Sequence, residues 1–266
     1  MRIRQPAVAG SFYPADPSAL AAAVDGYLAS GRKRLARTAG LGPPKAVVAP
    51  HAGYVYSGPI AGTAYAAVHE HAARFERVVL LGPAHRLRVD GLAASSADAF
   101  ATPLGTVPID RLTVHDSQRH PQVHVLDAAH ADEHSLEVQL PFLQRVLGQF
   151  ELIPFAVGAA AHAEVAEVLD DLWNGPETLV VISSDLSHYY DYATAKRLDA
   201  DTAEAIETLH PERLGPESAC GRIPVGGLLV AAKRHGLTAR RLDLRNSGDT
   251  AGPRDEVVGY AAFVLS

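Results

Sequence analysis

Cysteine is nearly absent from this chain: Cys220 is the single one among 266 residues. One cysteine cannot form an internal disulfide, so a disulfide framework is excluded and a reducing compartment is indicated. The N-terminal segment, "MRIRQPAVAGSFYPADP", is interrupted by prolines and a glycine where a secretory signal would need a continuous apolar stretch. We therefore expect a cytoplasmic protein.

Long hydrophobic runs and an excess of positive charge are also missing. No apolar stretch approaches the roughly 20 residues that a helix needs to span a bilayer. The formal net charge is −6, whereas proteins that bind nucleic acid usually present a basic face. We expect neither a membrane nor nucleic acid as a partner, and the sequence leaves open whether the partner is a small-molecule substrate or another protein.

What the chain does contain is a set of short apolar runs alternating with helical stretches. The runs are nearly continuous and rich in leucine and β-branched residues, which is typical of strands buried on both faces. They lie at residues 45–50, 77–83, 152–157 and 178–184. The helical stretches are 59–75, 134–148, 163–173, 191–209 and 224–236, and two closing strands follow. The alternation predicts a single α/β domain, residues 1–266, with a mostly parallel sheet and helices on both faces.

Three boundaries follow from local signals. An N-terminal helix that begins near Asp16 or Ser18 is expected to end at Gly31. Pro59 suits the first position of the next helix. The stretch 91–130 is less regular, and it is expected to hold an antiparallel excursion or a lid.

Histidines follow three of the buried runs. His51 comes after "VVAP", His85 after "VVLLGPA", and His188 after "LVVISS", where Asp185 lies close by. In a parallel sheet the carboxyl ends of the strands lie at one edge, and ligands bind there. A lone loop histidine would carry little meaning, but three at one edge predict a shared site.

Cys220 is the other candidate ligand. It lies in "ESACGRIPVGG", just before a helix that Pro224 or Val225 would begin, and a helix N-terminus favours a thiolate. An inert buried cysteine is the alternative. Two histidines with one anionic ligand are typical of mononuclear non-haem iron sites, while a thiolate also suits zinc or copper(I). His188 would then act in acid–base chemistry, with Asp185 fixing its tautomer.

Several motifs in order along the chain carry a resemblance to a known family. They are "AVAGSFYP", "APHAGYVYSG", "LGPAHR", "DEHSLEVQLPFLQ", "SSDLSHY", "CGRIPVGGLLVA" and "SGDTAG…EVVGYAAFV". Together they resemble the Memo family, whose prokaryotic members are labelled AmmeMemoRadiSam system protein B. The family is similar in fold to LigB-type class III extradiol dioxygenases, which implies an α/β/α sandwich.

The resemblance also implies roles for particular residues. The family's metal-binding positions fall on His51, His85 and Cys220, with Asp185 and His188 in the same pocket. The extradiol enzymes bind Fe(II) through two histidines and a glutamate, so a cysteine in the third place puts ring cleavage in doubt. Phe12 matches a tryptophan that the animal members carry near the pocket.

Two further motifs have open interpretations. His134 and Glu137, in "DEHSLEVQ", are three residues apart and would share a helix face as ligands or as a supporting hydrogen-bond network. Tyr54 could line the pocket or pack beneath it. We therefore count Phe12, Tyr54, His134 and Glu137 as candidate substrate-pocket residues.

Three functions remain in competition at this point. The first is a metal-dependent oxidoreductase or dioxygenase-like enzyme, with Fe(II) as the expected cofactor and copper or zinc as alternatives. The second is a metal-free hydrolase in which Cys220 is the nucleophile, His188 its base and Asp185 the orienting group. The third is a non-catalytic binding or signalling module that keeps a metal pocket.

Overall fold

A computed structural model describes residues 1–36, 40 and 42–266. Strands and helices alternate along these residues. The strands are β1 (Ile3–Arg4), β2 (Ala46–Ala49), β3 (Arg77–Pro83), β4 (Leu92–Ala94), β5 (Ala99–Thr102), β6 (Gly105–Pro108), β7 (Val123–Val125), β8 (Glu151–Val157), β9 (Thr178–Ser183), β10 (His188–Tyr190), β11 (Ala239–Asn246) and β12 (Val257–Leu265). The α-helices are α1 (Pro17–Leu35), α2 (Tyr54–His69), α3 (Arg111–Ser117), α4 (Ala128–Ala131), α5 (Leu140–Leu147), α6 (His162–Leu172), α7 (Tyr192–Glu207) and α8 (Arg222–Arg234). Short 3-10 helices span Ala72–Arg74, Glu137–Gln139, Pro211–Arg213 and Ser247–Asp249.

The four predicted buried runs form the parallel centre of the main sheet. Within the described residues its order is β10-β12-β2-β9-β3-β8-β4-β7, with β11 paired to β12. Strands β2, β9, β3 and β8 run parallel, whereas β12 and β4 join this centre in antiparallel pairs. Every residue of β2 and β9 is buried, as expected where helices cover both faces. The predicted α/β/α architecture is confirmed, with the antiparallel strands lying toward its edges.

The irregular stretch 91–130 is an antiparallel excursion, as predicted. Strand β4 pairs antiparallel with β8 and parallel with β7. Strands β5 and β6 form an antiparallel hairpin, and β1 from the N-terminus extends it by pairing parallel with β5. This pairing brings the first residues of the chain beside the segment that follows β7.

The helices pack in two groups, α1 with α2 and α5, and α6 with α8. The predicted end of the first helix at Gly31 is wrong, because α1 continues to Leu35. Gly31 is instead the point where α1 crosses α2: a Cβ there would lie 2.3 Å from the carbonyl oxygen of Gly62. Glycine is thus needed here for a close backbone approach. Among the described residues, no helix has both the length and the apolar character of a membrane span.

Helix α2 begins at Tyr54, earlier than the predicted start at Pro59. The carbonyl of Gly53 accepts the first hydrogen bonds of this helix, including the one from Ser57 N. Pro59 lies in the second turn, where its missing N–H deprives only the carbonyl of Val55 of a partner. Val55 is 58% exposed, so water can reach that region and the proline is tolerated.

Candidate metal centre

A cavity of about 580 Å³ opens at the carboxyl edge of the parallel strands. His51 lies two residues after β2 and His85 two residues after β3, and both line the cavity. His188 and Asp185, which follow β9, line it as well. The sheet therefore brings together the strand-end residues that the sequence singled out.

Three histidines approach one another closely at the base of this cavity. One ligand nitrogen from each of His51, His85 and His134 lies within 4.8 Å of the others. The ring centroid of His51 lies 5.2 Å from that of His85 and 5.4 Å from that of His134. The rings of His85 and His134 stack, with centroids 4.7 Å apart. This spacing allows all three imidazoles to bind a single ion.

The orientation of His51 is set by Ser183 at the end of β9. Ser183 Oγ donates its single proton to the carbonyl of Ser135, at 2.6 Å. The same oxygen must therefore accept hydrogen bonds from His51 Nδ1 and from the side-chain amide of Gln139, each 2.8 Å away. Nδ1 of His51 thus carries the ring proton, and Nε2 keeps a lone pair for a ligand.

The orientation of His85 is set by the buried carboxylate of Glu133. Glu133 Oε1 lies 2.9 Å from His85 Nδ1, and the backbone amides of His85 and Ser135 also donate to this carboxylate. Burial alone would raise the pKa of Glu133, but the hydrogen bonds from His85 and Ser135 outweigh it and lower that pKa to about 2. An ionised carboxylate only accepts, so Nδ1 of His85 is protonated and Nε2 is left for a metal.

His134 completes the group from a position that the sequence assigned to a helix. The helical prediction for 134–148 is wrong at its start, because α5 begins only at Leu140, where Pro141 suits its first turn. His134 therefore lies in irregular chain and turns into the cavity. Its Nδ1 is 3.3 Å from Glu133 Oε1 but is buried without a hydrogen bond among the described residues. The carboxylate of Glu133 thus lies beside the rings of both His85 and His134.

The protonation states of these rings also fit a metal. Burial, followed by the neighbouring His85, lowers the pKa of His51 well below its usual range. Burial lowers the pKa of His134 to about 4. Both rings are therefore neutral near pH 7, which is the form that binds metal ions. Imidazole ligands suit iron, copper, zinc or nickel, so the residues present fit a transition metal.

Cys220, the third ligand suggested by the sequence, lies beside this group. Its Sγ is 3.2 Å from His51 Nε2, although it is not one of the three clustered ligand atoms. A nitrogen and a sulfur that share one tetrahedral ion lie about 3.5 Å apart, so the sulfur can serve as a further donor. The expected thiolate is not favoured by the fold itself, because burial and then Asp185 raise the pKa of the thiol. Helix α8 begins at Arg222, before the predicted Pro224, and does not offset this burial.

Asp185 and His188 share the cavity but do not pair as the sequence suggested. Asp185 Oδ1 accepts a hydrogen bond of 2.7 Å from the backbone amide of His51, and burial raises the pKa of this carboxyl to about 7. Burial lowers the pKa of His188, the backbone of Leu186 offsets part of this shift, and the ring forms no hydrogen bond with Asp185. Asp185 therefore holds the His51 loop, and it does not fix the tautomer of His188.

Of the four candidate pocket residues, Phe12 and His134 line the cavity and contact each other, with ring centroids 4.7 Å apart. Tyr54 and Glu137 lie outside the lining. Tyr54 is buried and donates its hydroxyl to the carbonyl of Val138 at 2.6 Å. The carboxylate of Glu137 accepts from the side chains of Arg4 and Tyr13 and from the backbone amides of Ala7 and Val8. Glu137 thus has the supporting role that the sequence left open.

The lining also contains two charged residues to which the sequence assigned no part. They are Arg86, which directly follows His85, and Glu256. Tyr56 and Tyr189 add exposed aromatic surface, and Tyr189 adopts a left-handed backbone with φ of 61°. The motif "LGPAHR" carried the signal for Arg86, but the arginine has meaning only once the cavity is visible.

Known proteins resemble this chain over nearly its whole length. A sequence profile described as Memo-like protein matches residues 4–264. A MEMO1 family protein of Aquifex aeolicus is 37% identical over 277 aligned positions that cover all of both chains. Another from Methanopyrus kandleri is 38% identical over 98% of each chain.

A solved structure gives independent support for the fold. It is that of an uncharacterized protein from Escherichia coli K12, with a TM-score of 0.55 over 82% of this chain and 98% of that one. At 10% sequence identity this likeness concerns the fold alone. The near-complete profile match and the relatives above one-third identity decide the family: the chain belongs to the Memo family.

Proposed function

We propose that this chain binds one transition metal ion on His51, His85 and His134 and uses it in oxidative chemistry on a small substrate. The observation that carries the proposal is the approach of the three imidazole ligand atoms to within 4.8 Å of one another. Ser183 and Glu133 support it, because each holds one histidine with Nε2 available. Cys220 Sγ, beside His51 Nε2, is the proposed fourth donor.

Iron(II) is the proposed ion, and copper and zinc are the other ions that such donors accept. The preference for iron rests on the resemblance to extradiol dioxygenases, which bind Fe(II) at the same edge of a similar fold. When bound, iron or copper would supply redox chemistry toward dioxygen.

His188 is the proposed proton carrier. It lines the cavity with the three histidines, and its lowered pKa leaves an imidazole nitrogen unprotonated and able to accept a substrate proton near pH 7. Asp185 has a positioning role, since its carboxylate holds the backbone of His51. The cavity volume of about 580 Å³ is in the range of small-molecule sites.

The hydrolase alternative gains no support from this arrangement. It requires a Cys220 thiolate next to the ring of His188. Cys220 Sγ lies instead against His51 Nε2, and burial raises the pKa of the thiol. A nucleophile needs a base within hydrogen-bond reach, and the imidazole beside this sulfur is that of His51, one of the three proposed metal ligands.

Metal titration of single variants tests the proposed centre. Chelator-treated protein is titrated with Fe²⁺ or Co²⁺ without oxygen, and we expect one ion per chain. His51→Ala and His134→Ala should each weaken binding at least about 10-fold, as loss of a ligand does. His69→Ala, at the exposed end of α2, is the control and should match wild type. The proposal fails if wild type takes up no ion or if His51→Ala binds as wild type does.

The role of Cys220 is tested by the Co²⁺ complex. A cobalt–thiolate bond gives an intense near-ultraviolet charge-transfer band. We expect this band in wild type and its loss in Cys220→Ser, with the ion still bound through the histidines. A wild-type complex without the band would remove Cys220 from the ligand set while leaving the three histidines in place.

Oxygen uptake tests the catalytic part of the proposal. Fe²⁺-loaded protein is mixed with air-saturated buffer and small substrates, and we expect oxygen consumption that His188→Ala slows while the ion stays bound. Tight metal binding without oxidation of any substrate would instead favour the non-catalytic binding module.

A further inference from the structure

Arg86 is a cation in the cavity wall with no hydrogen-bond or ion-pair partner among the described residues. It follows His85 directly and is the one Lys or Arg among the lining residues. It is exposed, and it forms no hydrogen bond or ion pair with any residue that the structure describes. Its charge acts on the ring of His134, which places it within electrostatic range of the metal-ligand group.

The other charged groups of the cavity do not neutralise Arg86. Asp185 is buried and engaged with the backbone of His51, and Glu256 is exposed. Neither of them forms an ion pair with Arg86. A divalent ion held by three imidazoles and one thiolate would keep a net positive charge, which adds to that of Arg86. The cavity thus presents cationic groups toward a ligand.

Aromatic side chains form part of the remaining wall. Phe12, Tyr56 and Tyr189 line the cavity, and the two tyrosines are 38% and 72% exposed. Flat apolar surface around a few polar groups is the usual composition of a small-molecule site. An occupant would therefore have a flat or apolar body and an anionic group.

We infer that the cavity binds a small molecule bearing a carboxylate and that Arg86 pairs with that carboxylate. The inference deepens the proposed function, on which it rests for the identity of the site. A single planar guanidinium matches one carboxylate through two parallel hydrogen bonds. A phosphate is usually held by several cationic side chains or backbone N–H donors. Among the described residues, Arg86 is the only lysine or arginine that lines this cavity.

Matched aromatic probes test this charge preference. Benzoate, benzamide and phenyl phosphate share one ring and differ in the polar group, and their dissociation constants can be measured by ligand-observed NMR. For the Zn²⁺-loaded protein we expect benzoate to bind about 10-fold more tightly than benzamide. Arg86→Gln should remove about that factor for benzoate and leave benzamide unchanged, while Arg86→Lys should lose less.

Arg88→Gln is the matched control. Arg88 belongs to the same loop, lies outside the cavity lining and has a side chain that is 88% exposed. It should bind benzoate as wild type does. Equal affinities for benzoate and benzamide, or an Arg86→Gln protein that keeps its benzoate affinity, would overturn the inference. Tighter Arg86-dependent binding of phenyl phosphate would also overturn it, in favour of a phosphate ligand.

The same measurements in metal-free protein separate this inference from the proposed function. Arg86 does not depend on the ion, so the difference between wild type and Arg86→Gln should persist for benzoate after chelation, at lower affinity. If the chain takes up no metal but this difference persists, the metal centre is wrong and the carboxylate subsite stands. If metal binds and Arg86→Gln has no effect in either state, the subsite is wrong and the metal centre stands.

Discussion

Ser183 controls which nitrogen of His51 faces the cavity. Its hydroxyl proton is committed to the carbonyl of Ser135, so it can only accept from His51 Nδ1. In Ser183→Ala the ring loses this acceptor, and Nε2 is no longer held as the free nitrogen. We expect metal affinity to fall about 10-fold or more, as for loss of other groups that orient a ligand. Titration with Co²⁺ and the ¹⁵N spectrum of the His51 ring measure the effect.

The control for this variant lies on the same strand. Thr178 is at the opposite end of β9, and its buried hydroxyl has no hydrogen bond among the described residues. Thr178→Val should therefore leave metal affinity and the His51 tautomer unchanged. If the ring of His51 keeps the Nδ1 proton in Ser183→Ala, Ser183 does not set the tautomer.

Asp199 makes stability depend on pH at a position away from the three histidines. It is 2% exposed, and its Oδ1 accepts a hydrogen bond of 3.0 Å from Ser187 N. Burial raises the pKa of this carboxyl from 3.8 to about 6. The folded state therefore holds the proton more tightly than the unfolded state, so the stability is fully present below pH 4. It is lost as the pH rises toward 6, by up to about 3 kcal/mol.

Asp199→Asn should remove this pH dependence, because the amide oxygen still accepts from Ser187 but does not ionise. Urea unfolding at about pH 4 and pH 7.5 gives the change in free energy for each protein. We expect wild type to lose stability relative to Asp199→Asn as the pH rises. Asp201→Asn, exposed on the same helix, should follow wild type. Parallel profiles for wild type and Asp199→Asn would contradict the raised pKa.

At the scale of elements, the N-terminal strand and the segment 130–137 form one unit. The guanidinium of Arg4 bonds to the carboxylate of Glu137, to the carbonyl of His130 at 3.0 Å and to that of Glu133 at 2.6 Å. The Arg4 and Glu137 side chains are 7% and 0% exposed. This segment carries Glu133, which orients His85, and it also carries His134. The first strand of the chain therefore supports the segment that contributes His134 to the three-histidine group.

Arg4→Gln should cost about 3–5 kcal/mol of unfolding free energy, because it leaves the Glu137 carboxylate buried without its counter-charge. It should also weaken metal binding, since the segment with His134 loses its anchor. Arg77→Gln breaks the pair with Glu177, in which both side chains are about 30% exposed, and should cost about 0–1 kcal/mol.

A double variant tests the cause of this loss. Adding Glu137→Gln to Arg4→Gln removes the stranded charge and should recover part of the stability. Urea unfolding and Co²⁺ titration measure both effects. A loss for Arg4→Gln no larger than that for Arg77→Gln would show that the buried pair is not an anchor.

Site residues at the ends of buried strands could be predicted from the sequence, whereas those in irregular chain could not. His51 and His85 could be predicted because buried strands have a clear apolar pattern and their ends mark one edge of the sheet. The role of His134 stays open at the level of sequence, between a ligand and a supporting residue, because it lies in irregular chain whose path depends on distant contacts such as Arg4 with Glu137. Glu133 carried no signal, since its role exists only through its distance to the ring of His85.

At the scale of the whole molecule, the centre joins three parts of the chain that are far apart in sequence. His51 follows β2, His85 follows β3, and His134 lies between α4 and α5. The unfolded chain cannot hold these rings within 4.8 Å of one another, so an ion that binds them binds the folded state alone. Metal occupancy should therefore raise the stability of the entire domain.

The expected size of this stabilisation follows from mass action. At a free ion concentration of 100 times the dissociation constant, binding contributes about 2.7 kcal/mol, which for a chain of this length corresponds to a Tm increase of about 5–10 °C. Chelation should reverse the increase in wild type. His51→Ala should respond less to chelator, because a site about 10-fold weaker contributes about 1.4 kcal/mol or less at the same free ion concentration. If chelation lowered the Tm of wild type and of His51→Ala equally, the stabilising ion would bind elsewhere. The ion-dependent part of the stability depends on the His51 ring only if that ring binds the ion.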